Sequence, residues 1–494
     1  MSPRSASLTR TIAALLLGGA TLAFAGAGLA QTQGPHPIRG ADGRPLNVII
    51  LYADDMGWGD LGVQGHAFLR TPAIDRLAAT GMRLTQFYVT APICSPSRAG
   101  LLTGRIQNRF GMKKLINDSP DRTIAFHHVP TDEPMMPRMM REAGYRTAHV
   151  GKWHISFPDR KNEPRPEDYG YDHSLLLSGA RHGSYFSANW RRNGKPITTE
   201  GRWSAEVYVD EVIDFIEKDP SRPFFVSLWS FAPHQEVFCA PKYREMYADR
   251  SESEQYFYGT ITQMDEQYGR LLRYLDEHGL TDHTIVVFSS DNGAEPHLIP
   301  WSDRARGSNG GLRGGKHFIY DGGIRVPGIV RWPGVTEPGR DSREVAWTAD
   351  LMTTFTTATD SKPDPTRPFD GIDLRPVLRG GTAQRPRPLY WEFEGGVTLR
   401  NDVKMEAPGL ALRDGRWKFH CNTSFERVEL YDLDIDQNEQ WNLKDVYPEV
   451  ASRFLATMRG LYAEVNGPYS KSANFWNADM VTIPKTLGDP ALSR

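Results

Sequence analysis

The stretch LNVIILYADD, residues 46–55, reads as an apolar strand that stops on two adjacent carboxylates, Asp54 and Asp55. A run this short and branched, apolar at every position but Asn47, fits a strand covered on both faces. Three further segments repeat the pattern. Residues 146–150 (RTAHV) run into Gly151-Lys152-Trp153-His154, 224–231 (FFVSLWSF) into Ala232-Pro233-His234, and 284–290 (TIVVFSS) into Asp291-Asn292-Gly293. Amphipathic stretches at 73–80, 134–143, 204–218 and 253–278 separate them. Strand–helix alternation over about 300 residues predicts a doubly wound α/β sheet. In such sheets ligands bind beyond the carboxyl ends of the strands, which is where these polar residues fall.

Composition sets the limits around that core. With 494 residues, 39 % hydrophobic and 11 % aromatic, the chain can bury a large interior, which excludes wholesale disorder. It carries 58 Lys and Arg against 60 Asp and Glu, a formal net charge of −2. That balance, without a basic block, argues against a general nucleic-acid or membrane-surface binder. Three cysteines with no C-x-x-C pair cannot form a disulfide scaffold, and one bridge would leave one thiol over. Arg4 and Arg10 precede an uncharged Ala/Leu/Gly stretch with a small-residue exit, so residues 1–30 read as a signal peptide. The expected protein is therefore exported, periplasmic or secreted, with no stable membrane association. Pro-rich breaks at 361–368 and 385–388 precede candidate strands at 388–394, 410–413, 417–421 and 428–433 and a helix at 448–465. These divide the mature chain into an α/β domain at 45–384 and a C-terminal α+β subdomain, a small antiparallel sheet plus helix, at 385–494.

The segment richest in chemistry is Cys94-Ser95-Pro96-Ser97-Arg98-Ala99-Gly100-Leu101-Leu102-Thr103-Gly104-Arg105. Ser95 is placed to N-cap a helix with Pro96 in its first turn. Cys94 then sits at a helix N-terminus, where the dipole favours anions, with Arg98 one turn further on. Asp54, Asp55, Asp291 and Asn292 arrive from two strand ends and offer only oxygen ligands, a set that selects Ca2+ or Mg2+ over zinc. Lys152 and His154 are two apart, so an extended backbone puts both on one face.

The Cys94 segment resembles the C-x-P-x-R signature of the type I, formylglycine-dependent sulfatases, arylsulfatase-like members of the alkaline phosphatase superfamily. The trailing Leu-x-Thr-Gly element is represented by Leu101, Leu102, Thr103 and Gly104. Asp54-Asp55, Gly151-Lys152-Trp153-His154, Asp291-Asn292-Gly293, Gly314-Gly315-Lys316, Gly322-Gly323-Ile324-Arg325-Val326-Pro327 and Leu430-Tyr431-Asp432-Leu433 stand in the family's order. The resemblance runs from about residue 45 to about residue 442.

This resemblance implies an alkaline phosphatase-like fold, a large doubly wound mixed sheet flanked by helices with the smaller C-terminal sheet. It implies hydrolysis of a sulfate ester, on a sulfated carbohydrate or aryl sulfate, to alcohol and inorganic sulfate through a sulfated formylglycine intermediate. Cys94 would be converted to Cα-formylglycine by a formylglycine-generating or sulfatase-maturating enzyme. Asp54, Asp55, Asp291 and Asn292, with the modified residue 94, would hold one divalent cation, Ca2+ ahead of Mg2+. Cys94, Arg98, Lys152, His154, His234 and Lys316 would be catalytic, with Lys152, His234 and Lys316 also contacting the substrate. Three carboxylates, one divalent cation and three fixed cations leave the site near about +2, attractive to a sulfate monoanion. The alternative is a phosphoester or phosphonate hydrolase of the same superfamily, whose two-zinc members need further His and Asp ligands.

Arg160, Lys161, Arg191, Arg192, Arg304 and Arg306 lie in no such motif and read as solvated side chains. Tyr169-Gly170-Tyr171-Asp172-His173 and Arg181-His182-Gly183 follow the Lys152 segment, and read either as loop packing or as a leaving-group subsite. Cys239 and Cys421 remain as buried thiols or one disulfide.

Overall fold

A computed structural model describes residues 34–116, 127–177, 185–297, 303–393, 396–398 and 404–467. The signal segment at 1–30 and the Arg181-His182-Gly183 motif lie outside them. The first strand, β1 (Asn47–Ala53), is buried at every residue. Its alternate side chains feed two separate cores: Val48, Ile50 and Tyr52 face one, Ile49, Leu51 and Ala53 the other. A period-two strand that is apolar from Val48 to Ala53 must be covered on both faces, and helices provide the cover. Helices Pro72–Thr80, Ser204–Glu217 and Glu252–Glu277 lie on one face. Helices Cys94–Thr103, Met136–Glu142, Ala349–Ala358 and Pro448–Asn466 lie on the other. The long Glu252–Glu277 helix starts on a capping box in which Ser251 Oγ accepts from Glu254 N and Glu254 Oε2 accepts from Ser251 N.

The remaining strands of the large sheet are β2 (Met82–Tyr88), β3 (Arg146–Gly151), β4 (His173–Leu177), β5 (Phe186–Arg192), β6 (Lys195–Trp203), β7 (Phe224–Trp229), β8 (Thr284–Ser290), β9 (Arg325–Val326), β10 (Gly328–Arg331) and β11 (Arg340–Trp347). Their order is β11-β2-β10-β8-β1-β7-β3-β4-β5-β6, with β9 beside β2. Strands β8, β1, β7, β3 and β4 form a continuous parallel block, in register Leu51↔Phe288, Leu51↔Leu228, Val150↔Leu228 and Val150↔Leu175. Antiparallel β10 on one side and β5 on the other make the sheet mixed. The four strands read from the sequence, β8, β1, β7 and β3, are consecutive neighbours at its centre. Their polar ends therefore emerge side by side at one edge.

A second, antiparallel sheet has the order β12 (Leu389–Glu392), β15 (Leu410–Asp414), β16 (Trp417–Cys421), β17 (Glu429–Asp432), and β13 (Gly396–Thr398) pairs with β14 (Lys404–Glu406). Leu410, Leu412, Phe419 and Leu430 of the small sheet belong to the same hydrophobic cluster as Val48 and Ile50 of the large one. A buried ionic group also joins the two. Lys418 Nζ on β16 lies 2.7 Å from Asp321 Oδ1 and 3.6 Å from Glu439 Oε1, and all three side chains are fully buried. Asp321 Oδ2 accepts from Tyr88 Oη at 2.8 Å, and Glu439 Oε2 accepts from Asp321 N at 2.6 Å. Asp321 opens the short helix Asp321–Ile324, five residues after Lys316. Lys418→Met removes the cation and leaves buried carboxylates facing each other. It should destabilise the protein by about 3–5 kcal/mol, read as a lower urea midpoint; a shift below about 1 kcal/mol would show that the group is held some other way.

Candidate active site

Each of the central strands delivers its polar end residues to the same place. β1 ends in Asp54 and Asp55, β8 in Asp291 and Asn292, β3 in Lys152 and His154, and β7 leads to His234. Cys94 is the first residue of the helix that follows β2. One ligand atom from each of Asp54, Asp55, Cys94 and His234 lies within 4.8 Å of all the others. The helix begins two residues earlier than the sequence reading had it: Ile93 rather than Ser95 is the N-cap, and no side chain caps the first turn. Ser95 lies inside the first turn instead, where its Oγ accepts from Ile116 N at 3.1 Å.

The charges interlock. Arg98 donates twice to Asp291 Oδ2, from Nε at 2.9 Å and Nη2 at 2.7 Å, and Nη1 donates to Lys152 O at 3.3 Å. Its guanidinium is fully buried, 5.0 Å from the Trp229 ring centre and 5.8 Å from that of Tyr52. Asp291 Oδ1 accepts from Asp55 N at 3.0 Å. Lys152 Nζ pairs with Asp54 Oδ2 and lies 3.7 Å from Cys94 Sγ. Lys316 Nζ donates to Asp55 Oδ2 at 2.7 Å and lies 3.8 Å from Glu295 Oε1. His234 Nε2 is 3.7 Å from Asp55 Oδ2, while its Nδ1 donates to Gln235 O at 2.5 Å. In the neutral ring that bond leaves Nε2 as an acceptor.

Burial and neighbouring charge set the protonation. Burial and the Asp291 carboxylate push Asp54 up, well above the usual carboxylate range. Burial alone would also raise Asp55, but Lys316, His234 and Lys152 hold it low. Lys316 stays cationic: burial opposes it, and Asp55 and Cys94 more than offset burial. Burial, then Lys152 and Arg98, drive His154 well below its ordinary value, so it is a neutral ring with a buried, unpartnered Nδ1. Burial also raises the Cys94 thiol.

Backbone geometry confirms how tightly the site is built. Asp55 (φ 65°) and His154 (φ 60°) adopt left-handed conformations, a strain of about 1–3 kcal/mol each that over-determined sites retain. Gly151 and Gly293 permit close approach. A Cβ on Gly151 would lie 2.0 Å from Trp229 O, and one on Gly293 would lie 1.8 Å from Gly322 O.

The oxygen donors fit a hard divalent cation. Three buried carboxylates converge, and Asn292 Oδ1 is buried with no hydrogen-bond partner, while its Nδ2 donates to Asp55 Oδ1 at 2.8 Å. An orphaned acceptor beside crowded carboxylates suits a hard divalent cation.

The sequence reading missed several supports. His149 is buried beneath Lys152, in contact with Lys152 O at 3.2 Å and edge-on to Trp229. Glu295 beside Lys316 follows Asp291-Asn292-Gly293 by two residues, and that short offset was the available signal. Tyr185 Oη donates to His234 O at 2.6 Å. The segment 169–173 resolves as packing: Tyr169 Oη donates to Val129 O, Tyr171 Oη bonds Ser227 Oγ, and His173 Nε2 bonds Glu211 Oε1. Cys239 and Cys421 are free, buried thiols. A cavity of about 1110 Å³ opens at the opposite end of the sheet, lined by Asp42, Arg76, Asp282 and Arg331, and holds none of the motif residues.

Comparison with known proteins gives the family. The sulfatase family profile matches residues 46–361, and that of the N-sulphoglucosamine sulphohydrolase C-terminal region matches 314–461. N-acetylgalactosamine-6-sulfatase of Canis lupus familiaris is 32 % identical over 445 residues, covering 84 % of this chain and 77 % of that protein. Human arylsulfatase A is 32 % identical over 442 residues, covering 81 % and 83 % respectively. The crystal structure of Ps i-CgsB in complex with k-i-k-neocarrahexaose shares the fold, with a TM-score of 0.74, 23 % identity, and 88 % and 96 % coverage. The chain belongs to the sulfatase family and is a sulfuric ester hydrolase with the expected alkaline phosphatase-like fold. The phosphoester alternative is not favoured.

If the crowded carboxylates need a cation, chelator-stripped protein should gain stability when a divalent cation is restored. The gain is about 2.7 kcal/mol once free cation reaches a hundred times its Kd, seen as a higher Tm. Asn292→Ala should need more cation for the same rise. Identical Tm values with and without cation would remove the metal from this site.

Proposed function

We propose that this chain removes sulfate from a sulfated carbohydrate, using residue 94 as formylglycine, a Ca2+ ion held by Asp54, Asp55, Asp291 and Asn292, and the surrounding cations. The observation carrying this reading is the convergence of Lys152, Lys316 and His234 on Cys94 and the paired carboxylates. The all-oxygen donor set favours Ca2+ over softer metals. The names of relatives such as N-acetylgalactosamine-6-sulfatase point to sulfated sugars as the substrate class.

The hydrated formylglycine would supply two hydroxyls on one carbon, one to attack sulfur and one whose deprotonation lets sulfate leave. The cation would supply charge neutralisation at the sulfate oxygens. The chain's own residues do the rest. Lys152 and Lys316, fixed on Asp54 and Asp55, present N–H donors where negative charge grows on the sulfate oxygens. Arg98 holds Asp291 in place and lends the site a buried positive charge. His154, neutral at rest, accepts the proton of the second hydroxyl. His234 donates to the departing alcohol in its imidazolium form, because Nδ1 is already committed to Gln235. Burial and then Lys152 drive His234 well below its ordinary value, with Asp55 and the Gln235 carbonyl opposing them, so the ring takes up that proton together with the anionic substrate.

Cys94 is only 2 % exposed. A formylglycine-generating or sulfatase-maturating enzyme would reach it only before folding. The basic, apolar, small-residue pattern of 1–30 supports export, and among the described residues no helix is long and apolar enough to cross a membrane. We retain 45–384 as the catalytic part and 385–494 as its C-terminal subdomain.

Mature, metal-loaded protein should turn over sulfate esters in preference to matched phosphate esters; faster phosphate turnover would contradict the proposal. Lys316→Ala should lose at least ~10²–10³ in kcat. Cys94→Ser has no second hydroxyl and should release alcohol at most once per chain. Sustained wild-type turnover by either variant would overturn its assigned role.

A further inference from the structure

Four residues after His234 the chain places Phe238 on the surface, 44 % exposed. Its ring centre lies 5.5 Å from that of Trp203 and 5.8 Å from that of Tyr256, its plane within 22° of parallel to the Tyr256 ring. Phe186 packs edge-on against Trp203 at 5.2 Å and is itself 47 % exposed. Phe68 is the third phenylalanine this exposed among the described residues, so two of the three lie in one strip. Isolated exposed apolar residues need no explanation; a contiguous aromatic strip does.

Two arginines border the strip. Arg304 Cζ lies 3.9 Å from the Tyr256 ring centre, and its Nη1 donates to Val237 O at 3.1 Å. Arg244 Cζ lies 5.2 Å from the same ring, and its Nη1 donates to Tyr256 Oη at 2.8 Å. Neither forms an ion pair with a carboxylate among the described residues. Arg304, which reads as a solvated side chain in the sequence alone, is thus fixed on an aromatic face with N–H donors left over.

The strip is also tied rigidly to the active site. Tyr185 Oη donates to His234 O, its ring packs on Phe231 at 5.3 Å, and its carbonyl accepts from Ser204 N at 2.9 Å, next to Trp203. Phe238 can lie at most about 14 Å from His234 along the chain, within reach of a short oligosaccharide whose terminal sulfate occupies the catalytic pocket.

We propose that Trp203, Phe238 and Tyr256, with Arg244 and Arg304, form a second subsite that binds a neighbouring sulfated sugar unit of an oligosaccharide substrate. Aromatic faces suit the apolar C–H faces of sugar rings, and guanidinium groups suit sulfate oxygens. The inference rests on the sulfatase reading above and deepens it: the enzyme acts on chains, and the subsite distinguishes chain length.

The test uses mature, metal-loaded enzyme hydrolysing an aryl sulfate, with inhibition by di-, tetra- and hexasaccharides of chondroitin 6-sulfate and of a sulfated galactan. In at least one series the wild-type inhibition constant should fall about ten-fold or more from di- to hexasaccharide. Phe238→Ala and Arg304→Gln should each flatten that dependence. The disaccharide constant is the internal reference, because a misfolded variant would weaken both ends of the series. A flat wild-type profile in both series, or an unchanged slope in both variants, would overturn the subsite. An unchanged slope together with a monomer–dimer shift in Phe238→Ala would assign the strip to a second copy of the chain instead. Failure of the sulfatase reading looks different: formylglycine-bearing wild-type protein would not hydrolyse the aryl sulfate at all.

Discussion

Everything at this site depends on keeping three carboxylates together in a place water cannot reach. Two like charges about 4 Å apart repel by about 4 kcal/mol even at an effective dielectric of 20. Asp54, Asp55 and Asp291 are each at most 2 % exposed. Arg98, Lys152 and Lys316 answer them one for one, through contacts to Asp291, Asp54 and Asp55. The cations are equally dependent on the carboxylates, since a buried lysine without a counterion would lose its proton. Positive charge is therefore present before any ligand arrives, and a bound cation would shift the balance further towards an anionic one.

Such a cluster persists only in a rigid frame. The frame is the parallel block β8-β1-β7-β3, whose neighbouring ends carry the charged residues and whose two faces are both buried. Rings of Tyr52 and Trp229 confine Arg98, and His149 supports the backbone that carries Lys152. The small sheet contributes from a distance. Its Lys418 neutralises Asp321, whose short helix lies immediately beyond the loop bearing Lys316. The ionic logic of the site, buried charges held by buried partners, is thus repeated behind it.

Much of this is legible in the chain because it is local. Residues 284–290 are apolar at four of seven positions, are fully buried, and form β8 with the expected bounds. Residues 417–421 match β16 in the same way. β2, with alternating partial burial, and the short β10 carry weaker periodic signals, and pairing with each other, of β2 with β11 and of β10 with β8, makes them strands. Family motifs named the charged residues, but their pairings are long-range: Arg98 meets Asp291 across 193 residues, and Lys316 meets Asp55 across 261. Ser95 looked like a helix cap because nothing local reveals that Ile116 claims its hydroxyl. The aromatic strip is assembled from residues 186, 203, 238 and 256, so no window of sequence contains it.

The whole account turns on the chemical state of one buried residue. Mass spectrometry of the tryptic peptide covering residues 84–98, from protein made in its native host, reads that state directly. The account predicts an aldehyde at position 94, reactive towards a hydrazine probe, in place of the thiol. A peptide carrying only unmodified cysteine, from protein that still hydrolyses sulfate esters, would contradict it.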